Sequence, residues 1–244
     1  MIPYADIDTL FLDVGNTLVS IDFDWIAREL TARGVGVAAA DLHRAEAAAR
    51  PRVSAVLAGQ GELGRIDFSF GTYLGGIFDA LEARGSSLHG RRDALVDELV
   101  PVLRPAGATA RLWSQVLPGV PEALAAFRAL GLRLIVVSNS DGSVEQTLRE
   151  QGLVEHFHAV LDSALVGHEK PDRRIFDHAI EVSGATAGRT LHVGDLYSAD
   201  VVGARRAGIH ALLLDPFDDW TGIDAVRLPD LTALHRELAA ARRA

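Results

Sequence analysis

Four short apolar runs, each ending on an acid or a hydroxyl, constrain this 244-residue chain more than any other feature. They are Thr9-Leu-Phe-Leu-Asp13, Leu132-Arg-Leu-Ile-Val-Val-Ser138, Thr190-Leu-His-Val-Gly-Asp195 and Ile209-His-Ala-Leu-Leu-Leu-Asp215. Hydrophobicity that runs on without alternating suits strands covered on both faces, as in a parallel sheet. A weaker run, His158-Ala-Val-Leu161, is a fifth candidate. Amphipathic stretches of helical length lie between them, over Pro121–Leu130, Ser143–Gln151, Arg173–Val182 and Asp200–Ala207. Gly152, Gly184 and Gly208 stand at or near the ends of the last three, as helix C-terminal stops. This alternation predicts an α/β fold, a doubly wound (Rossmann-like) parallel sheet with short connections.

One segment breaks the rhythm. From about Asp22 to about Trp113 no strand pattern is found, and helical patterns cover Asp24–Arg33, Ala39–Ala49, Ile66–Arg84 and Arg91–Leu103. Gly34, Gly59-Gln-Gly61, Gly85-Ser-Ser and Pro105-Ala-Gly punctuate them. About 90 residues of helix is too much for a single crossover. The expectation is an inserted all-helical domain over 19–115, with 1–18 and 116–244 forming the sheet core. An Ala/Arg-rich end, Leu238–Ala244, reads as a fraying helix.

Composition removes several chemistries. With no cysteine there are no disulfides, thiol nucleophiles or Cys-type zinc sites. The net charge of −9 disfavours a nucleic-acid partner. Asp6 and Asp8 precede the first apolar run, unlike a secretory signal, and no stretch approaches the ~20 apolar residues that span a bilayer. The expectation is a cytoplasmic protein without a membrane partner, as monomer or homodimer. Of the 24 basic residues all but Lys170 are arginine.

Doubly wound sheets bind ligands at the C-terminal ends of their strands. Those ends carry Asp13, Ser138, Asp195 and Asp215, and the loop before the third main run carries Lys170. Two carboxylates about 4 Å apart repel by roughly 4 kcal/mol at an effective dielectric near 20. A divalent cation would relieve that repulsion and admit an anionic phosphate. Oxygen donors without Cys or paired His favour Mg²⁺ over zinc. Five of the nine histidines, His156, His158, His168, His192 and His210, read as packing or polar-surface residues, and Asp218-Asp-Trp220 as an acidic loop with an exposed aromatic.

Four strings resemble the motifs of the haloacid dehalogenase (HAD) superfamily. Phe11-Leu-Asp-Val-Gly-Asn-Thr-Leu18 looks like its first, Ser138-Asn139 after an apolar strand its second, and Lys170-Pro-Asp-Arg-Arg-Ile-Phe176 its third. His192-Val-Gly-Asp-Leu-Tyr-Ser-Ala-Asp200, running into Val-Val-Gly-Ala-Arg-Arg-Ala-Gly208, is similar to its fourth. The resemblance covers residues 7–18 and 116–216, and the helical insertion matches a C1-type cap by position and length. It implies a Mg²⁺-dependent phosphatase acting on a small phosphorylated substrate through an aspartyl-phosphate intermediate. Asp13 is then the nucleophile. Asp13, the Gly15 carbonyl and Asp195 hold the metal, while Ser138 and Asn139 donate to the phosphoryl group. Lys170 neutralises charge on both nucleophile and phosphate, and Asp200 fixes Lys170 or a metal-bound water. Trp25, Arg28 and Asp22, just past the first motif, are candidates to face substrate.

The chain departs from the resemblance at one place. Where such phosphatases carry a second Asp, two residues after the nucleophile, it has Gly15. General acid–base help is worth about 10²–10⁴-fold, so alkyl phosphates are expected to suffer more than aryl or acyl phosphates. Two alternatives stay open. The family's 2-haloacid dehalogenases also lack that Asp and need no metal, but generally carry Ser where this chain has Asp195. A non-catalytic phospholigand-binding module is the other.

Overall fold

The computed structural model describes residues 1–63, 70–104 and 109–243. The chain forms two compact units, one of Met1–Ser20 with Trp113–Ala244 and one of Ile21–Leu112.

The first unit is built on β1 (Thr9–Leu12), β2 (Val19–Ser20), β3 (Gln115–Val116), β4 (Arg133–Ser138), β5 (Ala159–Asp162), β6 (Thr190–Gly194), β7 (His210–Leu214) and β8 (Val226–Leu228). Six of them form one parallel sheet in the order β5-β4-β1-β6-β7-β8. Strands β2 and β3 make a separate antiparallel pair. The continuous apolar runs are explained by helices on both faces. Leu10, Leu12, Leu134, Val136, Leu191, Val193, Leu212 and Leu214 point into one apolar layer with the helices Val120–Ala129 and Leu231–Ala241. Phe11, Ile135, Val137, Leu161 and Leu213 point into the other, against the helix Arg173–Ser183. Successive strand residues thus feed opposite layers, each fully buried Leu, Ile or Phe contributing about 1.5–3 kcal/mol. Gly184, at φ +63°, closes the Arg173–Ser183 helix in the left-handed conformation that suits glycine.

The second unit is helical, with helices Phe23–Ala32, Ala39–Leu63, Phe70–Ala83, Arg92–Leu103 and Thr109–Leu112. Asp22 caps the first, accepting from the Trp25 amide at 2.7 Å. Trp25 is buried, with the Arg111 guanidinium 4.5 Å from its ring centre, and Arg28 is exposed. The Ala39 helix runs on through Pro51 to Leu63, past the expected end at Ala49 and the Gly59-Gln-Gly61 break. A proline inside a helix costs about 3 kcal/mol. Here Ala45, Ala49 and Val53 are buried on either side of Pro51, and the buried Arg50 side chain holds Glu46 at 2.6 Å one turn back. Tyr73 donates to the same Glu46 at 2.8 Å, tying the Phe70–Ala83 helix to this one. The expected start at Ile66 and the Pro105-Ala-Gly break lie outside the described residues.

Three further differences appear. Strand β8 has no counterpart among the apolar runs, because Val226-Arg-Leu228 is short and forms the sheet's edge. The C-terminal helix begins at Leu231, seven residues before the Ala/Arg-rich end, with Asp230 as its cap. Trp220 is not exposed: it is 4% accessible, in the second apolar layer, 6.3 Å from the Tyr197 ring. No helix among the described residues is long and apolar enough to cross a membrane.

Candidate active site

The strand order reverses around β1, with β4 on one side and β6 on the other. At such a switch point the carboxyl ends of adjacent strands open into a crevice. Asp13 follows β1 directly, its amide bonded to the Val193 carbonyl at 2.9 Å. Asp195 follows β6, and Ser138 is the last residue of β4. Beyond Asp13 the chain turns tightly, with the Leu18 and Val19 amides both donating to the Val14 carbonyl and Asn16 at φ +51°.

Asp13, Asp195 and Asp200 are all buried, and one oxygen from each lies within 4.8 Å of the others. Lys170 Nζ sits 2.9 Å from Asp13 Oδ1 and 2.7 Å from Asp200 Oδ1, with its side chain 2% exposed. Burial alone would lower the lysine's pKa, but the Asp13 and Asp200 charges outweigh it and hold it above its usual value. Burial likewise pushes Asp200 up, and Lys170 with His192 reverses this and holds it below the usual carboxylate range. Three carboxylates and one ammonium leave two formal negative charges, which one divalent cation would balance.

Asp200 is held by three donors. Its Oδ1 faces His192 Nε2 at 2.9 Å as well as Lys170, and its Oδ2 accepts from the Leu196 amide at 2.9 Å. Burial holds the His192 pKa below its ordinary value despite the Asp200 charge, so the ring is neutral and donates from Nε2. The Phe176 ring meets His192 edge-on, centroids 5.1 Å apart, which fixes the imidazole plane. A run of contacts therefore connects His192, Asp200, Lys170 and Asp13. The reading of His192 as a packing or polar-surface residue holds for its burial and misses its bond: the Asp200 partner belongs to the π-helical turn Tyr197–Val202 after β6, invisible to strand periodicity. The only sequence signal was a histidine inside an otherwise apolar strand.

Two glycines make the close approach possible. A Cβ on Gly194 would fall 2.1 Å from Asp200 Cγ, and one on Gly203 would fall 2.9 Å from the Phe176 ring and 3.0 Å from Pro171 Cα. Nothing larger fits either place.

Asn139 and Lys170 grip each other through the backbone: Asn139 Nδ2 donates to the Lys170 carbonyl at 2.8 Å, and the Lys170 amide donates to Asn139 Oδ1 at 2.7 Å. The Asn139 side chain thus holds the lysine loop. The chain after Ser138 is further pinned by Asp162, whose Oδ2 accepts from the Gly142 and Val144 amides at 3.0 and 3.2 Å. Asp195 accepts from Asn16 Nδ2 at 3.1 Å. Asp215, the remaining strand-end acid, is not in this cluster. It accepts from the Asp219 and Trp220 amides and pairs with Arg227 at 2.6 Å, so it organises the loop after β7.

Comparison with known proteins supplies the family and the fold. The sequence profile described as haloacid dehalogenase-like hydrolase matches residues 7–208. The chain is 42% identical over 107 residues to haloacid dehalogenase-like hydrolase domain-containing protein 3 of Bos taurus, covering 43% of each chain. It is 39% identical over 102 residues to phosphoserine phosphatase of Thermus thermophilus, covering 40% of this chain and 41% of the relative. These alignments span less than half of either relative's length. Among solved structures, the HAD-hydrolase YfnB of Bacillus subtilis bound to magnesium superposes with a TM-score of 0.63 at 19% identity, covering 95% of this chain and 98% of that one. At that identity the likeness is one of fold.

Proposed function

The chain belongs to the haloacid dehalogenase-like hydrolase family, and from that premise we propose that it is a Mg²⁺-dependent phosphatase acting on a small phosphorylated substrate. The observation that carries the reading is the buried trio of Asp13, Asp195 and Asp200 with Lys170 wedged among them. The three carboxylates exceed the one ammonium by two formal negative charges, and these hard oxygen donors fit a divalent cation of the magnesium type. Asp200 already accepts from Lys170, His192 and a backbone amide. Asp13, Asp195 and the Gly15 carbonyl are therefore assigned to the metal, and Asp200 to Lys170. The bound ion supplies Lewis-acid polarisation of the phosphoryl oxygens and relief of charge repulsion.

Asp13 attacks phosphorus, the bond to the leaving group breaks, and an aspartyl phosphate forms. Lys170 offsets the charge that gathers on Asp13 and the transferring group, while Ser138 and the Asn139 amide donate to the phosphoryl oxygens. Water then releases inorganic phosphate and regenerates Asp13. The helical unit, 21–112, is assigned the part of a cap that selects the substrate. Within it the Asp22 carboxylate is already committed to its helix cap and Trp25 is buried, so Arg28 is the one early candidate left to meet a ligand.

Gly15 favours a second reading, a metal-independent 2-haloacid dehalogenase, in which no leaving group needs a proton. The retained Asp195 in the carboxylate cluster weighs for the phosphatase. The test is hydrolysis of an aryl phosphate with and without Mg²⁺ by the wild type and by Asp13→Asn. Metal-dependent release that Asp13→Asn abolishes is expected. Activity without metal, or full activity in the variant, overturns the mechanism. Halide release from 2-chloropropionate without metal selects the dehalogenase. If neither reaction occurs and Mg²⁺ still raises the melting temperature, the chain is a binding module.

A further inference from the structure

We propose that Gly15 and Trp113 act as a pair that closes the place of a proton-transferring side chain beside Asp13, restricting the site to phosphoryl donors whose leaving group departs as a stable anion. The substrate class is then an aryl or acyl phosphate rather than an alkyl ester. This rests on the phosphatase reading above.

Gly15 lies two residues past the nucleophile, on the turn that follows β1. Its φ is outside the left-handed region, so the backbone itself does not demand glycine there. The demand is steric. A Cβ at position 15 would stand 3.1 Å from Trp113 Cζ3, 3.3 Å from Cη2 and 3.7 Å from Cε3. The benzenoid edge of the indole therefore crowds any side chain at 15, and the ring would have to give by a few tenths of an ångström to admit even its Cβ. Trp113 is packed against the apolar layer that includes Leu12, Val14 and Leu18, so the ring is not a loose end that swings aside at no cost.

The pair changes the chemistry and not only the shape. An indole carbon edge neither gives nor takes a proton. Lys170 is no substitute, being bound by Asp13 and Asp200 together, and Asp200 already accepts from three donors. When Asp13 attacks, a P–O bond forms to its carboxylate and the P–O bond to the leaving group breaks. The electron pair goes to the leaving oxygen without a proton from the protein. That is tolerable for a carboxylate, whose conjugate acid has a pKa of about 4, or a phenolate, at about 10, and poor for an alkoxide near water's value of about 15.7. In the second step water adds to phosphorus and Asp13 recovers its electron pair. The phosphate carries away the water oxygen with its protons. No base at position 15 assists, so the aspartyl phosphate is expected to accumulate.

The test compares p-nitrophenyl phosphate with ethyl phosphate, with Mg²⁺ present, in the wild type, Gly15→Asp, Trp113→Ala and the double variant. The wild type is expected to favour the nitrophenyl ester by at least about 10²-fold in kcat/KM and to release nitrophenol in a pre-steady-state burst. Gly15→Asp alone is expected to gain little on ethyl phosphate. Gly15→Asp with Trp113→Ala should gain on the order of 10²-fold. A readout independent of turnover is the melting temperature. Gly15→Asp should lower it by roughly 2–4 °C in the parent and by less in the Trp113→Ala background. Equal rates on the two esters, or a gain from Gly15→Asp that does not depend on Trp113, overturn this inference and leave the phosphatase reading standing. Failure to hydrolyse either ester overturns both.

Discussion

Lys170 is held between two buried carboxylates at 2.9 and 2.7 Å, in a chain that uses arginine at every other basic position. A compact ammonium fits between two acids that a planar guanidinium would force apart. Removing one partner of a buried charge cluster costs about 3–5 kcal/mol, because the others are left uncompensated. Lys170→Met is therefore expected to lose about that much stability in urea unfolding of the metal-free protein, and a loss below about 1 kcal/mol, typical of an exposed pair, would refute the cluster. Lys170 was readable in the sequence as a lone lysine inside a family motif. Its geometry was not, since Asp13, Lys170 and Asp200 stand far apart in the chain. His192 shows the same limit: the residue was visible, its Asp200 partner was not. Gly194 was visible as half of a Gly-Asp pair, yet only the fold shows that any Cβ there would collide with the Asp200 carboxyl.

Among the elements, the four strong apolar runs all became strands, within one residue or two of their expected limits. They did so because burial on both faces writes an unbroken apolar signal. Elements whose stability comes from partners were harder to read. The Ala39–Leu63 helix persists through Pro51 by packing and by the Glu46–Arg50 pair, and β8 exists because β7 offers an edge. Asp162, at the end of β5, is a residue that reading by motif missed. One carboxylate oxygen caps the helix Ser163–Val166 through the Ala164 amide at 3.0 Å. The other accepts from the Gly142 and Val144 amides, at the start of the helix Val144–Glu150. Each lost cap costs about 1 kcal/mol. Asp162→Ala is thus expected to lower unfolding free energy by about 2 kcal/mol. The same change should raise KM for phosphate esters by loosening the chain after Ser138. A neutral result in both measurements would deny it this role.

For the whole molecule, the buried charges set a pH window for stability. Lys170 is raised in the fold, so its contribution is complete below the ordinary lysine value of about 10.4 and is lost as pH rises through the folded value. Asp200 is lowered, so its contribution is complete above about 3.9 and is lost as pH falls through the folded value. His192 is lowered, and below about 6.5 the unfolded chain takes up a proton that the fold refuses. Together they predict a urea midpoint that is level between about pH 7 and 10 and declines on the acid side from near 6.5. His192→Gln shrinks the first part of that decline, to which His43 and His156, also lowered by burial, still contribute. A wild-type midpoint unchanged to pH 5, or a variant that declines identically, would contradict the assignment.

By itself the sequence determined the parallel sheet, the strand ends that carry Asp13, Ser138 and Asp195, and the family. Each of these is written locally, in a run of apolar residues or a motif a few positions long. The tertiary structure alone decided which acids share Lys170, that His192 and Asp200 form one unit, and that Asp215 stands apart. It also decided that Trp220 is buried and that an indole from residue 113 crowds the space beside Gly15. Those outcomes depend on side chains brought together by strand register and layer packing. No local period encodes which distant residue will arrive at the end of a given strand.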